Sequence, residues 1–237
     1  MNSQKGNLYL IPCTLGDTPP LEVLPLLVKK AVEHIDHYIV ENEKNARRFI
    51  KSVVPRKSQP DLQLSFINKF TDTSDIPSML APCHEGFDVG VISDAGCPGI
   101  ADPGAAVVSE AHLQNIKVVP LVGPSSILLA MMASGFNGQN FAFNGYLPID
   151  KRERRVEIKR LEHLSADNDQ SQLFIETPYR NNQMLESLLS TLQEHTKLCV
   201  ACDITLPTEY IKTFTAGEWK KIKVDLNKRP TLFIIQK

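Results

Sequence analysis

The chain lacks the cysteine pattern of a disulfide framework or a metal site. Its five cysteines are an odd number and are scattered between Cys13 and Cys202. Cys199 and Cys202 are close in sequence, but side chains three apart in a strand point to opposite faces, which disfavours a shared metal. The six histidines have no ligand spacing. We therefore predict a reducing compartment and no metal.

The chain also lacks a long apolar run and an excess of charge of one sign. No segment approaches the roughly 20 apolar residues that span a bilayer, and the first residues, MNSQKGNLYL, lack the layout of a signal peptide. We therefore expect a cytoplasmic protein with no membrane contact. With a net charge of −1, any contact with nucleic acid has to come from local basic clusters.

Two basic clusters are present, and a solvated helix face is the commoner explanation of either. The first cluster comprises Arg47, Arg48, Lys51, Arg56 and Lys57. The second comprises Lys151, Arg152, Arg154, Arg155, Lys159 and Arg160.

Short apolar runs alternate with helical patterns along the whole chain. Runs typical of strands occupy residues 8–11, 38–40, 62–67, 89–92, 118–122, 141–143, 173–175, 198–202 and 232–235. Helical spacing indicates helices over 24–35, with Pro25 near its first turn, and over 46–53. This alternation predicts an α/β protein with mixed, largely parallel sheets flanked by helices. The break at Gly123-Pro124 predicts two domains, 1–121 and 122–237.

The most informative segment is residues 89–104, VGVISDAGCPGIADPG, in which a buried strand enters a loop rich in glycine and proline. Gly96 and Gly99 allow the backbone to approach a ligand, and Pro98 and Pro103 stiffen the path. The loop matches neither GxGxxG nor a P-loop, which disfavours a nucleotide phosphate. A ligand site is expected here, and the alternative is a tight connection with nothing bound.

Polar residues follow other predicted strands. Asp17 beside Gly16 is an ordinary turn residue but is also placed where a site residue would lie. Glu41 or Asn42 fits a helix N-cap, and the functional alternative makes Glu41 and Lys44 face the substrate.

Two later segments have the same ambiguity. Ser125 or Ser126 caps a helix whose free N–H groups could also bind a ligand. Residues 174–180, FIETPYR, end a strand with a carboxylate that could cap the next helix or line a cleft. No order of serine, histidine and acid indicates a hydrolytic triad.

Taken in order, these segments resemble the tetrapyrrole methylase superfamily, and within it the bacterial small-subunit ribosomal RNA (cytidine 2′-O) methyltransferases. The resemblance spans nearly the whole chain. It is carried by LYLI before Leu15-Gly16-Asp17, by residues 41–50, by the SDAGCP and ADPG motifs of residues 93–104, and by the later motifs GPSS, GYLP and ETPYR.

The resemblance implies a two-domain homodimer that binds S-adenosylmethionine in a cleft between its domains and needs no metal. It implies cofactor contacts at Asp94, Ala95, Gly96, Pro98, Ser125 and Ser126. It also implies cofactor contacts at Ile175, Ala201, Pro230 and Thr231. Because a ribose hydroxyl is a poor nucleophile, a general base is expected, and the catalytic candidates are Glu41, Asp17 and Lys44.

Departures from the family pattern fall on the expected substrate side. Asn42, Glu43 and Lys44 stand where the family has Asp, Thr and Arg, and Thr14 and Asp17 replace Pro and Asn. We also expect a C-terminal extension of longer members to be missing after Lys237. Ribosomal RNA in the small subunit is the expected acceptor. The alternatives are a tetrapyrrole or other small acceptor, or a non-catalytic protein that binds the cofactor or a nucleoside.

Overall fold

The computed structural model describes residues 5–237, which form two compact units, one ending at Ser125 and one spanning Ser126–Lys237. The division lies at the end of the Gly-Pro-Ser segment. The domain bounds 1–121 and 122–237 stay a prediction.

The first unit contains a five-stranded sheet in which every neighbouring pair of strands is parallel. Its strands are β1 (Leu8–Ile11), β2 (His37–Val40), β3 (Gln63–Phe66), β4 (Val89–Ile92) and β5 (Val118–Pro120). Their spatial order is β3-β2-β4-β1-β5. Such a sheet is covered on both faces, which explains why β4 is buried at every position.

Helices cover this sheet on both sides. They are α1 (Pro20–Val23), α2 (Leu26–His34), α3 (Glu43–Val53), α4 (Ile76–Met79), α5 (Ala81–His84) and α6 (Gly104–Leu113). Tyr38 and Val40 of β2 pack with α2 and α3 in one core, whereas Ile39 packs with α6 in another. This alternation follows from the two-residue period of a strand.

The helices predicted from apolar spacing are largely confirmed. Ala46, Phe49, Ile50 and Val53 are the buried residues of α3, as their spacing predicts. The helix predicted over 24–35 begins later, at Leu26, because Pro25 has extended backbone (ψ 153°) and occupies the N-cap.

The second unit contains a mixed five-stranded sheet. Its strands are β6 (Phe141–Tyr146), β7 (Ser171–Ile175), β8 (Lys197–Cys202), β9 (Tyr210–Thr215) and β10 (Thr231–Gln236). Their order is β6-β7-β10-β8-β9, and β6 pairs with β7 in parallel while the other three pairings are antiparallel. The α/β class predicted from the sequence is confirmed. β9 is an addition that the sequence did not predict.

The helices of this unit pack against its sheet. They are α7 (Ser126–Ser134), α8 (Lys151–Asn168), a 3₁₀ helix (Pro178–Arg180), α9 (Asn181–Thr191) and α10 (Ala216–Trp219). Asp150 caps α8, because its carboxylate accepts hydrogen bonds from the amides of Arg152 and Glu153 at 2.9 and 3.0 Å.

The second basic cluster is not wholly a surface feature, because Arg154 is buried. It is 1% exposed, and its Nε donates to Ser187 Oγ at 3.1 Å while its Nη1 donates to the Ile149 carbonyl at 3.2 Å. Its positive charge therefore lies inside the fold and is not available to a polyanion.

Within residues 5–237, none of the helices combines the length and the apolar character needed to cross a bilayer.

Trp219 is the largest fully buried side chain and anchors the core of the second unit. Its Nε1 donates to the Leu198 carbonyl at 2.8 Å, and the Phe214 ring meets it edge-on at 5.3 Å between centroids. We predict that Trp219→Ala lowers the free energy of unfolding by about 3–5 kcal/mol, since it leaves a cavity and removes the hydrogen bond to the Leu198 carbonyl.

Urea denaturation measures this difference. Phe70→Ala is the control, because Phe70 is 83% exposed, and its substitution should change stability by less than about 0.5 kcal/mol. Equal losses from the two variants would contradict the assignment of Trp219 as a core anchor.

Candidate functional site

The carboxyl ends of the parallel strands bring the polar segments of the first unit to one sheet edge. Glu41 follows β2, residues 93–104 follow β4, residues 12–17 follow β1 and residues 121–125 follow β5. Because β2, β4, β1 and β5 are consecutive neighbours and parallel, these segments all emerge on the same side. The sheet therefore places Asp17, Glu41 and the loop after β4 in one region.

The loop after β4, residues 93–104, is called the glycine loop from here on. It is tied to both neighbouring segments: the Cys13 amide donates to the Gly96 carbonyl at 2.8 Å, and Cys97 Sγ donates to the Pro124 carbonyl at 3.4 Å. Gly96 has φ +72°, and a β-carbon there would lie 3.3 Å from Leu15 Cδ2. Glycine is therefore favoured at 96 by its left-handed backbone, and any side chain there would also press on Leu15.

Asp102 folds the glycine loop back on itself. Its Oδ1 accepts the amides of Gly99 and Gly104, each at 2.8 Å. Its Oδ2 is buried and has no hydrogen-bond partner among residues 5–237. Burial raises the pKa of Asp102, and the two amides oppose that rise.

Glu41 holds the glycine loop from the side of β2. Its Oε1 accepts the Asp94 amide at 3.1 Å, and Asn45 Nδ2 donates to Asp94 Oδ1 at 3.0 Å. Burial raises the pKa of Glu41, the Asp94 amide lowers it, and the charges of Asp102 and Asp94 raise it further. Asn42, and not Glu41, caps α3, since its side chain accepts the Asn45 amide at 3.1 Å.

A pocket of about 550 Å³ opens between the segment after β1, helix α3 and the start of the glycine loop. It is lined by residues 13–20, by Asn45, Arg48, Phe49 and Ser52, and by residues 92–95. Among the predicted site residues, Asp17, Asp94 and Ala95 are in this lining. Glu41 and Lys44 are outside it, and Lys44 is exposed on α3. Gly96 and Pro98 are buried in the glycine loop behind it.

The candidates of the second unit lie together at one end of its sheet. Leu232 of β10 pairs with Ile175 of β7 on one side and with Ala201 of β8 on the other. Thr231 precedes it, and the Pro230 carbonyl accepts the Asp203 amide at 2.9 Å. The start of β10 meets the ends of β7 and β8 because those pairings are antiparallel.

Ser125 ends the first unit and Ser126 begins α7 in the second. The predicted cofactor contacts are therefore divided between the two units. A cleft between domains stays a prediction.

The buried Glu176 forms an ion pair with the partly exposed Arg180 at the end of β7. Its Oε1 accepts from Arg180 Nη2 at 2.7 Å and from the Thr177 amide at 2.6 Å. Burial raises its pKa, but the hydrogen bonds and the charge of Arg180 outweigh that effect and leave it below its ordinary value. Glu176 therefore fixes the start of the 3₁₀ helix, on which Tyr179 is 75% exposed.

Sequence reasoning did not single out Asn45, Arg48 and Ser52 as one group. They recur at helical spacing beside the buried stripe of α3, and this periodicity is the signal that could have found them.

No group of three or more His, Cys, Asp or Glu residues suited to a metal ion occurs in the described part of the chain.

Two relatives named ribosomal RNA small subunit methyltransferase I are similar to this chain over most of its length. The protein of Escherichia coli O157:H7 is 28% identical over 231 residues, which cover 96% of this chain and 76% of the relative. That of Coprothermobacter proteolyticus is 28% identical over 220 residues, which cover 90% and 94%. No family model matches the chain.

Solved structures of methyltransferases share the fold. The methyltransferase CobJ superposes with a TM-score of 0.63 at 18% identity, covering 98% of this chain and 94% of its own. Uroporphyrin-III C-methyltransferase from Thermus thermophilus, complexed with S-adenosyl homocysteine, gives 0.56 at 15% identity, with 98% of each chain covered. The resemblance drawn from the motifs and the two-domain α/β fold are therefore confirmed.

The contact between Glu41 and the glycine loop generates a pH prediction. Because the pKa of Glu41 is raised in the folded state, folding favours its protonated form. Its contribution to the free energy of unfolding is therefore fully present at low pH and is lost as the pH rises through that pKa. The stability of the wild type relative to Glu41→Gln should therefore fall as the pH rises from about 4 to about 8. Urea denaturation of both proteins across this range measures it.

Glu218→Gln is the control of opposite sign. The Thr215 amide and hydroxyl hold the pKa of Glu218 below its ordinary value, so its contribution is present at neutral pH and is lost on acidification. If the wild type gained stability relative to Glu41→Gln with rising pH, the amide of Asp94 would outweigh burial, and our assignment would be wrong.

Proposed function

We propose that this chain, which resembles ribosomal RNA small subunit methyltransferase I in sequence and the tetrapyrrole methylases in fold, is an S-adenosylmethionine-dependent methyltransferase. Its acceptor is a ribose 2′-hydroxyl of small-subunit ribosomal RNA. The observation that supports this most directly is the glycine loop, which carries the motifs of the family and is braced by Cys13, Glu41 and Asp102 at the edge of the sheet.

The residues at this edge fit the cofactor. Asp94 and Ala95 are exposed at the pocket and present a carboxylate and bare main chain to a ligand. Gly96 behind them has φ +72°, and a β-carbon there would lie 3.3 Å from Leu15 Cδ2, so a side chain would be strained and tightly packed. Asp94 and Asp102 in the loop and Glu41 beside it are carboxylates, and negative charge there suits a ligand that carries a sulfonium and an ammonium.

When bound, S-adenosylmethionine supplies the methyl group, and the chain has to position the acceptor oxygen in line with it and exclude water. The glycine loop, held on three sides, provides a fixed wall for this alignment. A general base within hydrogen-bond reach of the hydroxyl contributes roughly 10²–10⁴-fold. Of the three candidates, Asp17 lines the pocket and is exposed, so we assign it this role. Glu41 positions the loop, and Lys44 lies outside the pocket lining.

Small subunits from cells that lack this methylation provide the test. With radiolabelled cofactor, we expect the purified protein to label the ribosomal RNA at a ribose oxygen, detected by resistance to alkaline cleavage. Label on a tetrapyrrole but not on RNA would support the first alternative, and saturable cofactor binding without transfer to any acceptor would support the second. We also propose a cytoplasmic homodimer, which light scattering of the purified protein tests.

Gly96→Ala provides a test of the cofactor loop. The substitution forces alanine to φ +72° and puts its β-carbon against Leu15, so we expect the dissociation constant for S-adenosylmethionine to rise at least about tenfold, or about 1.4 kcal/mol. Calorimetric titration measures it.

Gly135→Ala is the matched control. Gly135 has φ +75°, and nothing lies within 4 Å of the β-carbon position, so the backbone strain is the same without the contact. Its cofactor affinity should equal that of the wild type. Equal losses in both variants would mean that general destabilisation, and not the glycine loop, causes the effect.

A further inference from the structure

The pocket of the first unit carries a single cationic side chain, Arg48, among its lining residues. Arg48 is exposed on α3, and its guanidinium has no hydrogen bond or ion pair within residues 5–237. An unengaged guanidinium at a pocket wall is a ready partner for an anion.

Other members of the first basic cluster are committed to the fold. Arg47 donates from Nε to Glu43 Oε1 at 2.8 Å and from Nη1 to the Gln59 carbonyl. Lys57 Nζ lies 2.6 Å from Asp36 Oδ1 and donates to the Glu33 carbonyl. Their charges are used to hold α3 and its following segment, so the cluster is not a uniform basic surface.

The rest of the pocket lining suits the sugar of a nucleotide. Asp17 provides a carboxylate, and Thr14 and Ser52 provide hydroxyls, that can form hydrogen bonds to ribose hydroxyls. The volume of about 550 Å³ falls in the range of small-molecule sites. A nucleotide combines these hydroxyls with a phosphate, an anion that a guanidinium can bind through two parallel hydrogen bonds.

We propose that Arg48 binds a backbone phosphate of the acceptor RNA and that this pocket is the subsite for the nucleotide beside that phosphate. The inference rests on the proposed function and names where its substrate binds. The carboxylate of the cofactor is the other source of an anion. We commit to the RNA phosphate because, of the predicted cofactor contacts, only Asp94 and Ala95 line this pocket, and others lie in the second unit.

The test compares Arg48→Ala with Lys51→Ala. Lys51 is exposed on the same helix but is not in the pocket lining, so it matches Arg48 in charge and setting. Methyl transfer to undermethylated small subunits gives KM and kcat for each variant, calorimetry gives the cofactor affinity, and thermal unfolding confirms that both variants are folded.

Arg48→Ala should raise KM for the subunits on the order of tenfold and lower the slope of log KM against log salt by about 1, with cofactor affinity unchanged. Arg48→Lys should recover part of the loss, since it keeps the charge but not the fork of donors. Lys51→Ala should stay within about twofold of the wild type.

Three results would overturn the inference. Equal effects of Arg48→Ala and Lys51→Ala would mean that the RNA responds to the overall positive charge of α3 and not to a specific contact with Arg48. Weaker cofactor binding with an unchanged KM for RNA would assign the anion to the cofactor. A wild type that transfers no methyl group to the subunits would remove the proposed function and this inference with it, whereas an active wild type matched by Arg48→Ala would remove the inference alone.

Discussion

The parallel alignment of β1, β2, β4 and β5 is the constraint on which the site depends. Each strand contributes only a short polar segment after its last residue, and none of these segments makes a site alone. Parallel pairing aligns the strand ends, so the main chain of one loop meets the side chain of the next. The bonds from the Cys13 amide to Gly96 and from the Asp94 amide to Glu41 follow from this register. Helices on both faces of the sheet keep it from shifting.

Burial and the carboxylates at this edge of the sheet keep the neighbouring thiols in their neutral form. Burial raises the pKa of Cys13, and the charges of Asp94 and Glu41 raise it further. Burial and Asp102 do the same for Cys97. Both thiols are therefore protonated near neutrality and are not nucleophilic, because the nucleophile of cysteine chemistry is the thiolate. The same carboxylates that suppress the thiolates create a region suited to a cationic ligand.

Local patterns in the sequence predict most of the fold. The α/β alternation and the buried stripe of α3 each depend on residues a few positions apart. β9 has mixed polar and apolar residues and partial burial along its length, and it pairs only with β8 at the edge of the sheet, so its pattern is weak. The start of α2 depends on the backbone of Pro25, which periodicity alone does not fix. Predictions of elements succeed where burial is strong and weaken at edges and helix ends.

The site is predictable only in part, because its remaining residues are defined by contacts distant in sequence. The glycine loop is visible in the sequence through its composition. That Asp102 closes it, that Glu41 holds it, and that Arg48 differs from Arg47 are results of tertiary packing. The roles of the predicted cofactor and catalytic residues stay predictions.

Asn45 connects the pocket with the glycine loop. It lines the pocket, and its side-chain amide donates a hydrogen bond to Asp94 in the glycine loop. Anything that reorients Asn45 from the pocket side changes the loop, and the reverse holds equally. If the pocket takes the nucleotide and the glycine loop takes the cofactor, as we propose, the two bound molecules are linked through this one amide.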